Sequence, residues 1–172
     1  MRSYIRAGVQ PPVPETQMTV LFFSFLLGCV DGLRSLTAPA AVCWAAHFGW
    51  LHFGWTKLSF IEHPATLIVV TLLALAELVA DKLPHTPART APVGLIARIV
   101  LGGACGAAFG IGTGTSVPLA AGVGMVGAIV GAFGGYNIRH ALVSRMHLPD
   151  FVVALGEDVI AIAGAFLIVA YV

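Results

Sequence analysis

Five apolar runs, each near the length of a membrane-spanning helix, constrain this chain more than any other feature. They cover residues 18–46, 64–81, 92–111, 118–138 and 151–172, and clusters of breaker residues separate them. A helix crosses a bilayer core about 30 Å thick with roughly 20 apolar residues. Lipid offers no hydrogen bonds to an open backbone, so such runs fold as helices. The sequence therefore predicts an all-α, polytopic transmembrane bundle of about five spans.

Composition supports this prediction and excludes several function classes. The chain of 172 residues is 58% hydrophobic and 10% charged, whereas soluble domains are about 25% charged. A formal net charge of +1 gives no basic footprint, so we expect membrane lipids as partners and no nucleic acid. No motif for a cofactor or for catalysis occurs, and the histidines lack ligand spacing. We therefore predict no cofactor, no catalytic residue and no metal, and an enzyme is the less favoured class.

The chain divides into a polar tail and one membrane domain. Residues 1–17 form the tail, which Pro11, Pro12 and Pro14 keep out of helix. Residues 18–172 form a single transmembrane domain whose first run we expect to be retained and not cleaved as a signal peptide. That run is too long for one simple crossing and contains Gly28, Gly32 and Pro39. We therefore expect the first helix to be kinked or broken.

The positions of the cations predict an orientation, because short cytoplasmic loops are rich in Lys and Arg. If every run crosses once, all but Lys57 of the loop and tail cations fall on one side: Arg2, Arg6, Lys82, Arg89, Arg139 and Arg145. We therefore predict a bacterial inner-membrane protein with a cytoplasmic N-terminus and a C-terminus outside. Aromatic residues between 44 and 55 are typical of a membrane interface.

Two runs carry glycine at four-residue spacing, the pattern of a glycine zipper. The third has Gly102, Gly106 and Gly110, and the fourth has Gly127, Gly131 and Gly135. Small residues at this spacing let two helix backbones approach closely. One interpretation is that the third and fourth helices pack together within the chain. The alternative is a homodimer through either stripe.

Ionisable residues inside the predicted spans are the most informative feature for function. Six lie away from the ends of the runs: Asp31, Arg34, Glu77, Arg98, Glu157 and Asp158. Each charge costs about 2.5–3.5 kcal/mol at the centre of an inserted helix, so these residues must be paired, protonated or hydrated. Fixed salt bridges are one explanation. The other is a substrate- or ion-binding site near the bilayer midplane, which would also include Ser35, Asp81, Asn137 and Arg139.

A short sequence similarity suggests an internal repeat. Ala74-Leu75-Ala76-Glu77-Leu78-Val79 matches Ala154-Leu155-Gly156-Glu157-Asp158-Val159 at four of six positions. With a weaker match between the first and fourth runs, helices one and two would correspond to helices four and five. An odd central helix makes these halves opposite in direction, as in the inverted repeats of transporters. Chance similarity between Ala- and Leu-rich helices is the alternative.

The segment from Gly32 to Pro39, the segment from Glu77 to Pro84 and a glycine-rich helix ending near Tyr136 and Arg139 resemble one known family. Its members are small bacterial integral membrane proteins that share a domain of unknown function. The resemblance covers most of the chain from about Met18 onward. It implies a protein of the bacterial inner membrane, and it implies no activity, substrate or catalytic residue.

Three functions compete. The favoured one is a small transporter or a lipid- or solute-translocating protein, in which Arg34 binds an anionic group and Glu77 or Glu157 exchanges a coupling ion. The second is an intramembrane enzyme acting on a lipid, with Asp31 or Glu62 beside a histidine as acid or base. The third is a non-catalytic partner subunit assembled through the glycine stripes.

Overall fold

The computed structural model describes residues 14–54, 56–82 and 91–171, and this part of the chain consists of helices and the turns that connect them, without strands. Its α-helices are α1 (Pro14–Leu33), α2 (Thr37–His47), α3 (Pro64–Ala80), α4 (Pro92–Gly112), α5 (Val117–Met146) and α6 (Asp150–Ala170), and a 3-10 helix, Ser59–Glu62, precedes α3. The all-α prediction is confirmed. Pro14 begins α1, where its missing N–H is not needed, so the prediction that it stays outside a helix is wrong. Residues 1–13 lie outside the described residues.

Among the described residues, three helices have the length and composition to cross a membrane: α4, α5 and α6. The first two predicted runs instead yield shorter apolar helices, Gln17–Leu33 and Pro64–Ala80. Large apolar side chains are exposed on the outside of the bundle, among them Val79 at 66% and Ile160 at 66%. Such a surface suits contact with lipid. The chain is therefore a helical protein of membrane type.

Helix α5 packs its small residues against two neighbours. Its Ala120 and Gly124 lie against Gly106 and Gly102 of α4, while Gly131 lies against the Cys29 backbone of α1. A Cβ atom on any of these glycines would clash with backbone atoms of the partner helix. The first glycine stripe therefore packs between α4 and α5, as one interpretation predicted. The second stripe packs on α1 and not on α4, because α5 uses different faces for the two helices.

The contacts of α1 set its direction. Gly28 lies beside Gly124, and Gly32 lies beside Ala128 and Ala132 further along α5, so α1 and α5 are parallel. Helices α4 and α5 are antiparallel, because Gly102 meets Gly124 whereas Gly106 meets Ala120. Helix α1 therefore runs from the Gly112 end of the bundle towards the Pro92 end. We call the Pro92 end of the bundle the charged end and the Gly112 end the aromatic end.

The first apolar run reverses direction. Residues 34–36 are not helical, and the amides of Ser35 and Leu36 contact Glu77, whereas the Trp44 indole donates to the Thr71 hydroxyl at 3.2 Å. Helix α2 is thus antiparallel to α3. After α2, Leu51 packs beside Gly112 at the aromatic end. The run is broken, as expected, and its two halves form a hairpin that enters and leaves the bundle at the aromatic end.

The break does not occur at Pro39, the residue most expected to interrupt a helix. Pro39 is the third residue of α2, and in the first turn of a helix no intrahelical partner needs its N–H. Proline therefore starts α2 instead of interrupting it. The chain leaves helical conformation a few residues earlier, at Arg34.

The hairpin changes the expected topology. Helix α6 is antiparallel to α1, since Val30 lies beside Gly164 whereas Phe23, nearer the start of α1, packs on Tyr171 after the end of α6. The start of α1 and the end of α6 therefore lie at the same end of the bundle. The predicted opposite placement of the termini assumed a single crossing by residues 18–46, and the reversal removes that premise.

The same directions bear on the predicted repeat. An inverted repeat requires opposite directions for its corresponding helices. Helix α1, which holds the first half of the first run and the start of its Gly32–Ser35 segment, is parallel to α5, whereas α3 and α6 run in opposite directions. Only the pair that contains the matching Glu77 and Glu157 segments meets the requirement.

Candidate functional site

Glu77 of α3 accepts hydrogen bonds from the two backbone amides that immediately precede α2, at the break between α1 and α2. Ser35 N donates to Glu77 Oε1 at 2.7 Å, and Leu36 N donates to Glu77 Oε2 at 2.8 Å. The first amides of a helix have no partner within it and carry its positive dipole end. A carboxylate on α3 therefore caps a helix that begins inside the bundle.

The carbonyl groups that end α1 have the complementary partner. Arg98 of α4 donates from Nη1 to the carbonyl oxygens of Asp31 at 3.4 Å and Gly32 at 3.2 Å. Its Nη2 lies 3.9 Å from Glu77 Oε1. A cation is favoured at the carbonyl end of a helix. One ion pair between α3 and α4 therefore satisfies both ends of the broken helix.

Arg34 lies at the tip of the hairpin with 0% of its side chain exposed. It forms ion pairs with Asp81, at the end of α3, and with Asp158 of α6, whose Oδ1 lies 2.5 Å from Nη2. Lys82 joins the same group, since its Nζ lies 2.6 Å from Asp158 Oδ2 and donates to the Leu78 carbonyl at 3.0 Å. A buried guanidinium requires this degree of pairing.

Asp31, one turn before the break, is also 0% exposed. Within the described part of the chain neither of its carboxyl oxygens has a hydrogen-bond partner. The side chain beside it is the Cys105 thiol of α4, which is a weak donor. Asp31 thus differs from the other acidic residues here, each of which contacts a cation or backbone amides.

We call these residues the break cluster: Asp31, Arg34, Glu77, Asp81, Lys82, Arg98 and Asp158. It draws on α1, α3, α4 and α6 and surrounds the tip of the hairpin. Charged side chains of other helices therefore hold the break between α1 and α2.

A second group of charges lies nearer the charged end of the bundle. Arg139 of α5 donates to both carboxylate oxygens of Asp150, from Nε at 2.9 Å and from Nη2 at 2.7 Å, and its Nη1 lies 3.4 Å from Glu157 Oε2. We call Arg139, Asp150 and Glu157 the outer group. It borders a shallow cavity of about 400 Å³ that Tyr136, His140 and Ser144 also line.

Most of the predicted site residues come together. The break cluster unites Asp31, Arg34, Glu77, Asp81, Arg98 and Asp158, and Ser35 joins them through its amide. Glu157 and Arg139 belong to the outer group instead, because Glu157 and its neighbour Asp158 point in different directions on α6. Asn137 is exposed on α5, and the hydrogen bonds that build the cluster do not include it.

The sequence did not point to two participants. Lys82 entered only as a loop cation, although it directly follows Asp81 at the end of α3. Asp150 stands at the first position of α6, two helical turns before Glu157, and this spacing could have indicated a shared face. The described residues contain no group of three or more His, Cys, Asp or Glu side chains that could hold a metal ion.

Comparison with known proteins identifies the family of this chain. Residues 21–171 match the family described as Domain of unknown function (DUF4126). The chain belongs to this family. The resemblance noted from the sequence is thereby confirmed, and the DUF4126 region contains every residue of the break cluster and of the outer group. Searches of curated proteins and of solved structures return no match for the chain.

Proposed function

We propose that this DUF4126 protein is a small membrane transporter that moves a solute or lipid through rearrangement of the hairpin formed by α1 and α2. The observation that carries the proposal is the broken helix whose ends are held by Glu77 and Arg98 and whose tip holds buried Arg34. Broken helices at membrane depth form the binding sites of many transporters, because their free backbone groups face a cavity.

The depth of the break supports this reading. Arg98 is six residues into α4 and Asp158 eight residues into α6, so the cluster lies roughly 9–12 Å inside the helix starts at a rise of about 1.5 Å per residue. In this proposal the helices of all five apolar runs lie in the membrane. The charged end, with Lys82, Arg139 and Arg145, faces the cytoplasm of an inner membrane.

Arg34 is the residue to which an anionic substrate group would bind. It already contacts the Asp81 and Asp158 carboxylates, so a substrate carboxylate or phosphate would compete with one of them for the guanidinium. Such an exchange would free a carboxylate at α3 or α6. During the same transport cycle, Glu77 would alternately bind and release the backbone amides at the start of α2.

Transport assays on reconstituted protein test the proposal. Proteoliposomes would be loaded with a pH-sensitive dye and tested with proton gradients, sodium-22, labelled phosphate and fluorescent phospholipids. Wild-type protein is expected to move one of these probes, and Arg34→Gln and Glu77→Gln to abolish the movement. Arg145→Gln is the control, because it removes an exposed cation of the same end. Equal rates in wild type, Arg34→Gln and Glu77→Gln would contradict the proposal.

The mutual pairing within the break cluster favours one further candidate, a non-catalytic partner subunit with a fixed scaffold. Stoichiometric co-purification of a second protein from gently solubilised membranes would support it. A homodimer through the glycine stripes stays a prediction, although Gly102, Gly106 and Gly131 already pack within the chain. Cross-linking of single exposed cysteines introduced on α4 and α5 would test it.

A further inference from the structure

Asp31 combines complete burial with the lack of a direct ion pair among the described residues. It is 0% exposed, and both carboxyl oxygens are without a hydrogen-bond partner among the described residues. A buried polar group is normally hydrogen-bonded, and a buried charge is normally paired. Among the described residues, no side chain therefore donates a conventional hydrogen bond to this carboxyl group.

The neighbours of Asp31 leave its oxygens unneutralised. From α4 it faces the Cys105 thiol and Arg98, from α3 it faces Glu77, and Cys43 of α2 lies near Cys105. The Arg98 Nη1 is directed to the backbone carbonyls of residues 31 and 32 instead of the carboxyl group. The α5 residues that lie against Gly28 and Gly32 of α1 are Gly124, Ala128, Gly131 and Ala132, none of which carries a charge.

The remaining charges of the break cluster balance one another. Three cations, Arg34, Lys82 and Arg98, stand with three carboxylates, Glu77, Asp81 and Asp158. An ionised Asp31 would add one negative charge in excess. Within the described cluster, one further positive charge would restore neutrality.

We propose that Asp31 is a proton-binding site. The proton attaches to one carboxyl oxygen, which converts the carboxylate into a neutral acid, and on release it passes to water. A metal cation fits less well, because hard cations require several oxygen ligands, and Asp31 offers only its own two beside a thiol and glycine backbones.

This inference rests on the proposed function for its role, since the proton would be the coupling ion. Asp31 adjoins the carbonyls that Arg98 holds, and Arg98 is paired with Glu77, which holds the start of α2. Loss of the proton places a negative charge beside Arg98 and competes for that guanidinium. The protonation state of Asp31 therefore biases the position of the hairpin.

Infrared spectroscopy of the full chain in lipid tests proton binding without reference to transport. At about pH 7, wild-type protein is expected to show the carbonyl stretching band of a protonated carboxylic acid. The band should be lost in Asp31→Asn and retained in Asp150→Asn, which alters an exposed carboxyl group. Retention of the full band in Asp31→Asn, or no such band in wild type, would overturn the proposal.

Two further measurements separate the alternatives. Asparagine mimics a neutral aspartic acid, so Asp31→Asn is expected to unfold at the wild-type temperature or above it; a marked fall would indicate an ionised, paired Asp31 and overturn the proposal. In proteoliposomes the same variant should lose proton movement. If wild type moves no probe while the infrared band depends on Asp31, proton binding is upheld and the transport proposal fails.

Discussion

Arg34 and Arg139 each bind two carboxylates, yet their surroundings differ. Arg34 is 0% exposed and its partners belong to α3 and α6, far apart in the sequence. Arg139 is 21% exposed, and its main partner, Asp150, is 61% exposed. The same chemical pairing therefore occurs once where water is excluded and once where water competes.

Because of this difference, we expect the stability of the fold to depend on the ion pairs of Arg34 much more than on those of Arg139. Removal of one partner from a buried ion pair leaves an uncompensated charge and costs about 3–5 kcal/mol, whereas an exposed pair contributes about 0.2–1 kcal/mol. The break cluster should therefore control whether the hairpin forms. The outer group should modulate the charged end of the bundle without deciding the fold.

The largest expected effect is that of Arg34→Gln. It leaves Asp81 and Asp158 with one fewer cation around a buried tip, so we expect the free energy of unfolding to fall by about 3–5 kcal/mol. Denaturant unfolding in detergent, followed by tryptophan fluorescence, measures this change. Adding Asp158→Asn to Arg34→Gln should recover part of the loss. A fall below about 1 kcal/mol would show that water reaches the tip.

The next effect concerns Glu77→Gln. The amide keeps one acceptor oxygen but places its NH₂ group where the other amide N–H now donates, so we expect a loss of about 1–3 kcal/mol. Hydrogen exchange of the Ser35 and Leu36 amides should accelerate in parallel, while amides in the middle of α5 keep their protection. Unchanged exchange at these two amides would contradict the capping role.

A smaller effect is expected from Lys82→Met. The Lys82 side chain is 25% exposed, and Asp158 keeps Arg34 after the change, so the loss should be about 1 kcal/mol or less. Thermal unfolding in detergent measures it. A loss as large as that of Arg34→Gln would mean that Lys82, and not Arg34, is the main counter-charge of Asp158.

Arg139→Gln should have the smallest effect. Its main partner, Asp150, is 61% exposed, so we expect about 0.2–1 kcal/mol at low salt, and this difference should shrink as ionic strength rises and the Debye length shortens. Unfolding of wild type and variant at two salt concentrations measures it. A cost that is large and independent of salt would place the outer group with the break cluster.

The sequence predicted much of the fold because membrane helices have a strong and local signal. Helices α4 and α6 follow the apolar runs closely, whereas α5 begins with its run but extends eight residues beyond it to Met146. The stripe of Gly102 and Gly106 indicated a close helix contact that the structure contains. Length and spacing suffice for such features, because each depends on one run of residues at a time.

The reversal at residues 34–36 could not be predicted in the same way. No proline or glycine stands between Leu33 and Leu36, and the break depends on partners from α3 and α4 that are distant in the sequence. The charged residues were recognised by their cost in lipid. Their division into two groups depends on helix rotation, which set Asp158 towards Arg34 and Glu157 towards Arg139.

Chain direction also determines which end of the break takes an acidic partner and which takes a basic one. A carboxylate suits the start of α2 and a guanidinium suits the end of α1, because the two helix ends carry opposite partial charges. An exchange of Glu77 and Arg98 would keep the net charge and the ion pair, yet each group would then face a helix end of its own sign. The placement of the acidic residue on α3 and the basic residue on α4 therefore matches the direction in which the chain passes through the break.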